Sequence, residues 1–139
     1  MAEKAEEKEK VELRYMMWDP QIIEKEQALA DKFTVENPHI KITVEAAAYN
    51  QFWEKMQAMA AGKNLPDVFW MSSGTVKDYA KMGALLDIDD RVASLDQSKY
   101  FPSAFNVLRA PNFSGKMYAF PYAVVNCISY YNIRLFDEA

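Results

Sequence analysis

Ala60–Asp87 reads AAGKNLPDVFWMSSGTVKDYAKMGALLD, and this stretch decides the fold. It ends one helix at Gly62 and restarts after Leu65-Pro66, where proline fixes φ and stiffens the turn. It then runs Asp67 to Met71 as a short apolar segment, the pattern of a strand buried on both faces. Ser72, Ser73 and Gly74 open a polar loop before a helix over Thr75–Met82, which Gly83 closes. A strand that delivers Trp70 to a Ser-Ser-Gly loop points to a ligand cleft. In open α/β sheets, ligands bind beyond the carboxyl ends of the strands.

Upstream, the same alternation repeats. Val11, Leu13, Tyr15 and Met17 recur at period two, which predicts a strand over 11–17. Asp19 suits a helix N-cap and Pro20 a first helical turn. Gln21–Glu36 then places Ile22, Leu29, Ala30 and Phe33 on one face of an amphipathic helix, which Asn37-Pro38 stops. Ile40, Ile42, Val44 and Ala46 alternate as a second strand. Asn50 reads as the N-cap of a helix lined by Phe52, Met56, Met59 and Ala60. The order β-α-β-α-β-α calls for a three-layer α/β fold, with a mainly parallel sheet, right-handed crossovers and helices on both faces.

Downstream the signals weaken. Leu85–Ser98 is irregular, and Lys99–Leu108 reads as a short helix. A turn over Phe113–Lys116 feeds a short strand, Met117–Phe120, which Pro121 interrupts. Gly115 permits the tight turn. Val124–Tyr131 reads as a last apolar strand, with no helix after it.

Composition narrows the function classes. The 139 residues suffice for a real core, and half of them are hydrophobic. The net charge of −4 disfavours a nucleic-acid binder, which would show a basic face. The single cysteine, Cys127, cannot form an internal disulfide and reads as a small core residue. The single histidine, His39, has neither a second His nor a Cys pair, so no metal site and no cofactor are expected. Met56, Met59 and Met82 are core by spacing. No apolar run is long enough to span a membrane. The first ten residues, MAEKAEEKEK, carry no signal-peptide pattern and read as a disordered polar leader. No G-x-G-x-x-G or Walker loop supports nucleotide chemistry. An enzyme acting on glycosides would need two carboxylates flanking the cleft, and none is marked as a pair. Asp67 sits at a strand start, on the far end from the cleft.

Five further motifs carry a resemblance. They are FTVENPHIKITVE (Phe33–Glu45), LPDV (Leu65–Val68), YAKMGALL (Tyr79–Leu86), GKMYAFP (Gly115–Pro121) and YYNIRLF (Tyr130–Phe136). In this order they resemble the extracellular solute-binding proteins of ABC importers, the sugar-binding, maltose-binding-protein-like class. The resemblance covers the chain from Val11 onward. It implies a two-lobed receptor that closes about a hinge and delivers a carbohydrate to an ABC permease. It also implies an extracytoplasmic place, periplasmic or lipid-anchored, with residues 1–10 as a lipoprotein tether. Family members run to about three times this length, as two domains would. The chain therefore reads as the N-terminal lobe over 11–132, with 133–139 starting the crossover to a second lobe and Tyr130, Tyr131 and Asn132 at the hinge. An unfilled sheet edge or apolar face is expected to recruit a partner, as a homodimer, a swapped assembly or a complementing C-terminal fragment.

Sugars present an apolar ring face and a rim of hydroxyls, so their sites pair aromatic platforms with side chains that donate and accept hydrogen bonds. The loops after the strands supply Trp18 and Asp19, then Tyr49, Asn50 and Gln51, then Trp70, Ser72 and Ser73. Tyr122 and Asn126 flank the crossover strand. Trp18 reads equally as core, Asp19 and Asn50 as plain caps, Ser72 and Ser73 as caps of the third helix, and Tyr130 and Tyr131 as hinge or core. Where many sugar-binding relatives place a carboxylate, this chain has Val124-Val125-Asn126. An alternative is an assembly fragment that binds no ligand of its own.

Overall fold

A computed structural model describes residues 9–112, 114–125 and 129–138. The chain divides into two compact units, Met1–Met71 and Ser72–Ala139.

The first unit is built on a parallel sheet of β1 (Val11–Met17), β2 (Ile40–Ala46) and β3 (Val68–Phe69), in the order β2-β1-β3. Val11 pairs with Ile40 and Met17 with Ala46, while Tyr15 pairs with Val68. Helix α1 (Ile23–Glu36) joins β1 to β2, and α2 (Tyr49–Ala61) joins β2 to β3. The two connections run to opposite sides of β1. Right-handed crossovers therefore put α1 and α2 on opposite faces of the sheet. Alternation along β1 sorts the side chains accordingly. Met17 is buried with Ala30 of α1 and Val44 of β2, and Tyr15, Ile42 and Trp70 pack against them. Met16 points the other way and is fully buried, as are Phe52 and Met56 of α2.

Gln27 guards one edge of this sheet. Its side chain donates to the Ile42 carbonyl at 3.0 Å and accepts from the Val44 amide at 2.9 Å. The side-chain amide thus stands in for a neighbouring strand and satisfies backbone groups of an edge. On the other edge, Val68 is 54% exposed, so β3 is not the doubly buried strand expected from its apolar run. It is also shorter than Asp67–Met71. Its pairing is extended on one side by the Asp67 carboxylate, which accepts from the Arg14 amide at 2.8 Å, and on the other by the Trp70 amide, which donates to the Met16 carbonyl at 2.9 Å.

Helix ends follow local chemistry, with one correction. Asn50 is not the cap of α2, because Ala48 holds the N-cap position and Asn50 lies exposed in the first turn. Gly62 ends α2 with right-handed φ of −80°, and the left-handed residue is Lys63, at φ 53°. The Lys63 amide donates to Ala60 and the Asn64 amide to Met59, which closes the helix end.

The second unit holds α3 (Ser73–Lys81), α4 (Asp89–Ala93), α5 (Pro102–Asn106), a two-stranded antiparallel hairpin of β4 (Arg109–Ala110) and β5 (Lys116–Met117), and α6 (Ile133–Asp137). Its buried residues include Val76, Tyr79, Val92, Phe105, Leu108 and Met117. Arg109 ties the hairpin down: one guanidinium nitrogen donates to Asp89 at 2.7 Å and to the Gly115 carbonyl at 2.8 Å. A Cβ added to Gly115 would lie 1.9 Å from the Ala110 carbonyl oxygen, so the turn requires glycine there.

Several expectations fail in this unit. Leu85–Ser98 contains α4. The Lys99–Leu108 helix shrinks to α5, started by Pro102. The Met117–Phe120 strand begins and ends earlier, as β5. Among the described residues of Val124–Tyr131 there is no strand, and Val125 and Tyr130 are 86% and 88% exposed. Apolar content alone suggested that strand, and its described residues pair with no other strand. Cys127 lies outside the described residues. A helix does follow, since the Asn132 side chain accepts from the Leu135 amide at 3.3 Å and starts α6.

Candidate functional site

The carboxyl ends of β1 and β3 and the start of α2 bring five aromatic rings together. Trp18 follows β1 and sits at the centre. Its ring centroid lies 5.1 Å from Trp70, 5.4 Å from Phe52, 5.7 Å from Tyr49 and 6.0 Å from Trp53. The first three contacts are edge-to-face, while Trp53 is tilted by only 30° from the Trp18 plane. Tyr49 and Trp53 stand 6.2 Å apart, and Phe52 and Trp53 5.2 Å apart, both again edge-to-face. Such geometry sets the positive edge of one ring against the negative face of the next.

The cluster is graded in burial. Phe52 is fully buried and forms the floor. Trp18, Trp53 and Trp70 are half-buried, and Tyr49 is exposed. Aromatic surface therefore reaches solvent above a buried floor. Asn50 and Gln51 follow Tyr49 on the first turn of α2 and are exposed. The arrangement offers apolar ring faces, with the exposed Tyr49 bringing a hydroxyl to the cluster.

One ring is fixed through its polar atom. The Trp70 indole N–H donates to the Tyr15 hydroxyl at 2.6 Å, and that hydroxyl donates to the Glu26 carboxylate of α1 at 3.2 Å. Asp19 is a cap: its carboxylate accepts from the Gln21 amide at 3.1 Å and starts the 3₁₀ turn Pro20–Ile22 that leads into α1.

Trp18, Tyr49 and Trp70 thus come together as candidate site residues, with Asn50 and Gln51 next to them and Asp19 adjoining Trp18 as a cap. Ser72, Ser73 and Tyr122 belong to the second unit. Ser72 holds the N-cap position of α3, but its hydroxyl sits 3.3 Å from the Thr75 hydroxyl instead of receiving a helix amide. Ser73 and Tyr122 are exposed. So are Tyr130 and Tyr131, which removes the core alternative for both. Asn126 lies outside the described residues. Sequence reasoning missed Trp53. The signal was available: Tyr49 and Trp53 are four residues apart at the start of a helix, which puts both on one face.

No group of three or more His, Cys, Asp or Glu side chains that could hold a metal occurs among the described residues. No helix among them is long and apolar enough to cross a membrane.

Comparison with known proteins places this geometry in a family setting. A family model described as bacterial extracellular solute-binding protein matches residues 28–139. The chain is 29% identical over 99 residues to the diacetylchitobiose binding protein DasA of Streptomyces coelicolor, an alignment spanning 71% of this chain and 22% of that protein. Among solved structures, it matches the ABC substrate-binding protein Lmo0181 of Listeria monocytogenes, determined in complex with cycloalternan. That match has a TM-score of 0.61 and 28% identity, and covers 79% of this chain and 28% of that one. It also matches the GacH receptor of Streptomyces glaucescens, determined unliganded and with acarbose. The TM-score is 0.68 and the identity 25%, over 80% of this chain and 28% of that one. The chain therefore spans about a quarter of the length of these relatives. They are solute-binding proteins and not enzymes, and their likeness bears out the α/β, periplasmic-binding-protein-like fold.

Proposed function

The chain belongs to the bacterial extracellular solute-binding protein family, and on that premise we propose that its aromatic cluster is a carbohydrate-binding surface. The observation that carries this reading is the half-buried ring set of Trp18, Trp53 and Trp70 around a buried Phe52, with exposed Tyr49 at its margin. A pyranose ring presents axial C–H groups that stack on an aromatic face, and equatorial hydroxyls that meet hydrogen-bonding side chains. The relative named for diacetylchitobiose and the structures determined with cycloalternan and acarbose support this class of ligand.

In this reading the chain supplies the N-terminal lobe of an extracytoplasmic receptor that hands its solute to an ABC permease. A second lobe closes over the rings about a hinge at Tyr130–Asn132. Ligand binding favours the closed form by its differential affinity for that form. The exposed apolar residues Val125, Tyr130, Ile133 and Phe136 support association with further polypeptide, either a second copy or a complementing fragment.

The test is a thermal-shift panel on this chain with chito-, malto- and manno-oligosaccharides. At least one of them is expected to raise the midpoint in proportion to the logarithm of its concentration. A flat response to the whole panel, with unchanged tryptophan fluorescence, would remove the carbohydrate reading.

A further inference from the structure

Glu26 is the one buried charged residue among those described, at 8% exposure. It sits on α1 and lines a half-open groove of about 230 Å³ whose other walls include Leu13, Leu29, Phe33, Ile42 and Val68. A carboxylate in such apolar company loses hydration and is costly unless hydrogen-bonded. Its bond to the Tyr15 hydroxyl, at 3.2 Å, offsets part of that cost. Simple packing would be served as well by a leucine at this point of α1. The bond's other end explains the carboxylate. The same hydroxyl receives the Trp70 indole N–H at 2.6 Å, the shorter of the two contacts. A hydroxyl that donates to a carboxylate becomes a better acceptor, so the two bonds strengthen each other.

We propose that Tyr15 and Glu26 are positioning residues for the solute site: they lock the Trp70 indole by its N–H, so that Trp70 offers its ring face to the ligand and not its donor. This deepens the carbohydrate reading and rests on it. The consequence is selective. A side chain whose only polar atom is already bonded inside the protein recognises the apolar face of a ring and is indifferent to the position of a hydroxyl. Hydroxyl discrimination then falls to other side chains, the exposed Tyr49 among them. The relay also fixes Trp70 at the 80° angle from which its ring meets Trp18 edge-to-face.

Indole N–H resonances of Trp18, Trp53 and Trp70 test the relay directly, without any ligand. In the wild-type chain the Trp70 N–H is expected to exchange with solvent about tenfold or more slowly than a free indole, because exchange requires opening the bond. Tyr15→Phe removes the acceptor; the Trp70 signal should move and its exchange accelerate, while Trp18 and Trp53 keep theirs. Glu26→Gln retains an acceptor for the Tyr15 hydroxyl and should resemble wild type, whereas Glu26→Leu should resemble Tyr15→Phe. For a sugar found to bind the wild type, Tyr15→Phe should weaken binding about tenfold through a loosened platform. Unprotected Trp70 in the wild type overturns the relay without recourse to any variant. Identical spectra for Glu26→Gln and Glu26→Leu, or unchanged sugar affinity in Tyr15→Phe, overturn it as well. A protected Trp70 in a chain that answers to no sugar removes the carbohydrate reading while the locked indole stands.

Discussion

Trp18 and Trp70 meet edge-to-face with centroids 5.1 Å apart, although 52 positions separate them in the chain, because parallel strands β1 and β3 end side by side. The sheet therefore makes the site: two strands deliver the two rings, and α2 adds Tyr49, Phe52 and Trp53 from its first turns.

Trp18→Ala removes the ring that all four others touch. We expect a loss of about 2–3 kcal/mol in stability, below the ~3–5 kcal/mol of a fully buried aromatic, since Trp18 is only half-buried. Trp53→Ala removes a half-buried ring that touches three others, so a loss of about 1–2 kcal/mol in stability is expected. A bound sugar's dissociation constant should in addition rise about tenfold, ~1.4 kcal/mol. Urea unfolding and a binding titration on both variants separate the two effects.

Gly115→Ala should cost about 2–3 kcal/mol, because the new methyl would meet backbone and not a movable side chain. Gly74→Ala is the control. It lies in the first turn of α3, its added Cβ would meet nothing closer than the Ser72 hydroxyl at 3.9 Å, and alanine favours helix by up to about 1 kcal/mol. Thermal midpoints should fall for the first variant and hold or rise for the second.

Lys63→Gly should stabilise the first unit by about 0.5–1 kcal/mol, since a left-handed φ of 53° strains a side-chain-bearing residue and not glycine. The urea midpoint reads this directly. An unchanged or lowered midpoint would mean that the entropy gained by the unfolded chain outweighs the strain.

Acid should weaken the second unit through Asp87. The Lys116 ammonium at 2.5 Å and the Asp89 amide hold its carboxyl below the ordinary aspartate range. A group whose pKa is lowered by folding stabilises above its unfolded value, near 4, and that contribution disappears as pH falls through the lower folded value. Asp87→Asn should therefore flatten the loss of stability below about pH 4 and leave the slope above pH 6 unchanged. A variant with the wild-type acid slope would place the titrating group elsewhere.

Period-two and period-3.6 patterns made the first unit readable. Tyr15 and Met17 alternate as strand residues, and Ala30 with Ile22 and Ile23 packs against them, while Leu29 and Phe33 of the expected face stay exposed. Those patterns record burial, and burial is what the sheet imposes. Hydrogen-bond partners leave no such periodic trace. The polar side chain of Asn50 looked like a cap, yet the chain enters α2 at Ala48 and needs no side-chain cap there. Val124–Tyr131 has the apolar content of a strand, but nothing in its own sequence says whether a neighbour exists to pair with it. Within the site, Trp18, Tyr49 and Trp70 were legible as residues following strands. Trp53 was legible only through its i,i+4 spacing from Tyr49 on α2, and the Tyr15–Glu26 pair was hidden by lying on two elements whose register only the fold reveals.

The most direct measurement follows the three tryptophan indole resonances of this chain during titration with chito-, malto- and manno-oligosaccharides, with glycerol as the control polyol. Saturable shifts of Trp53 and Trp18 with at least one oligosaccharide, absent with glycerol, are the expected result, with the Trp18 shift saturating at about tenfold higher sugar concentration in Trp53→Ala. Shifts absent with every sugar, or equal in size with glycerol, would contradict a carbohydrate-binding role for the aromatic cluster.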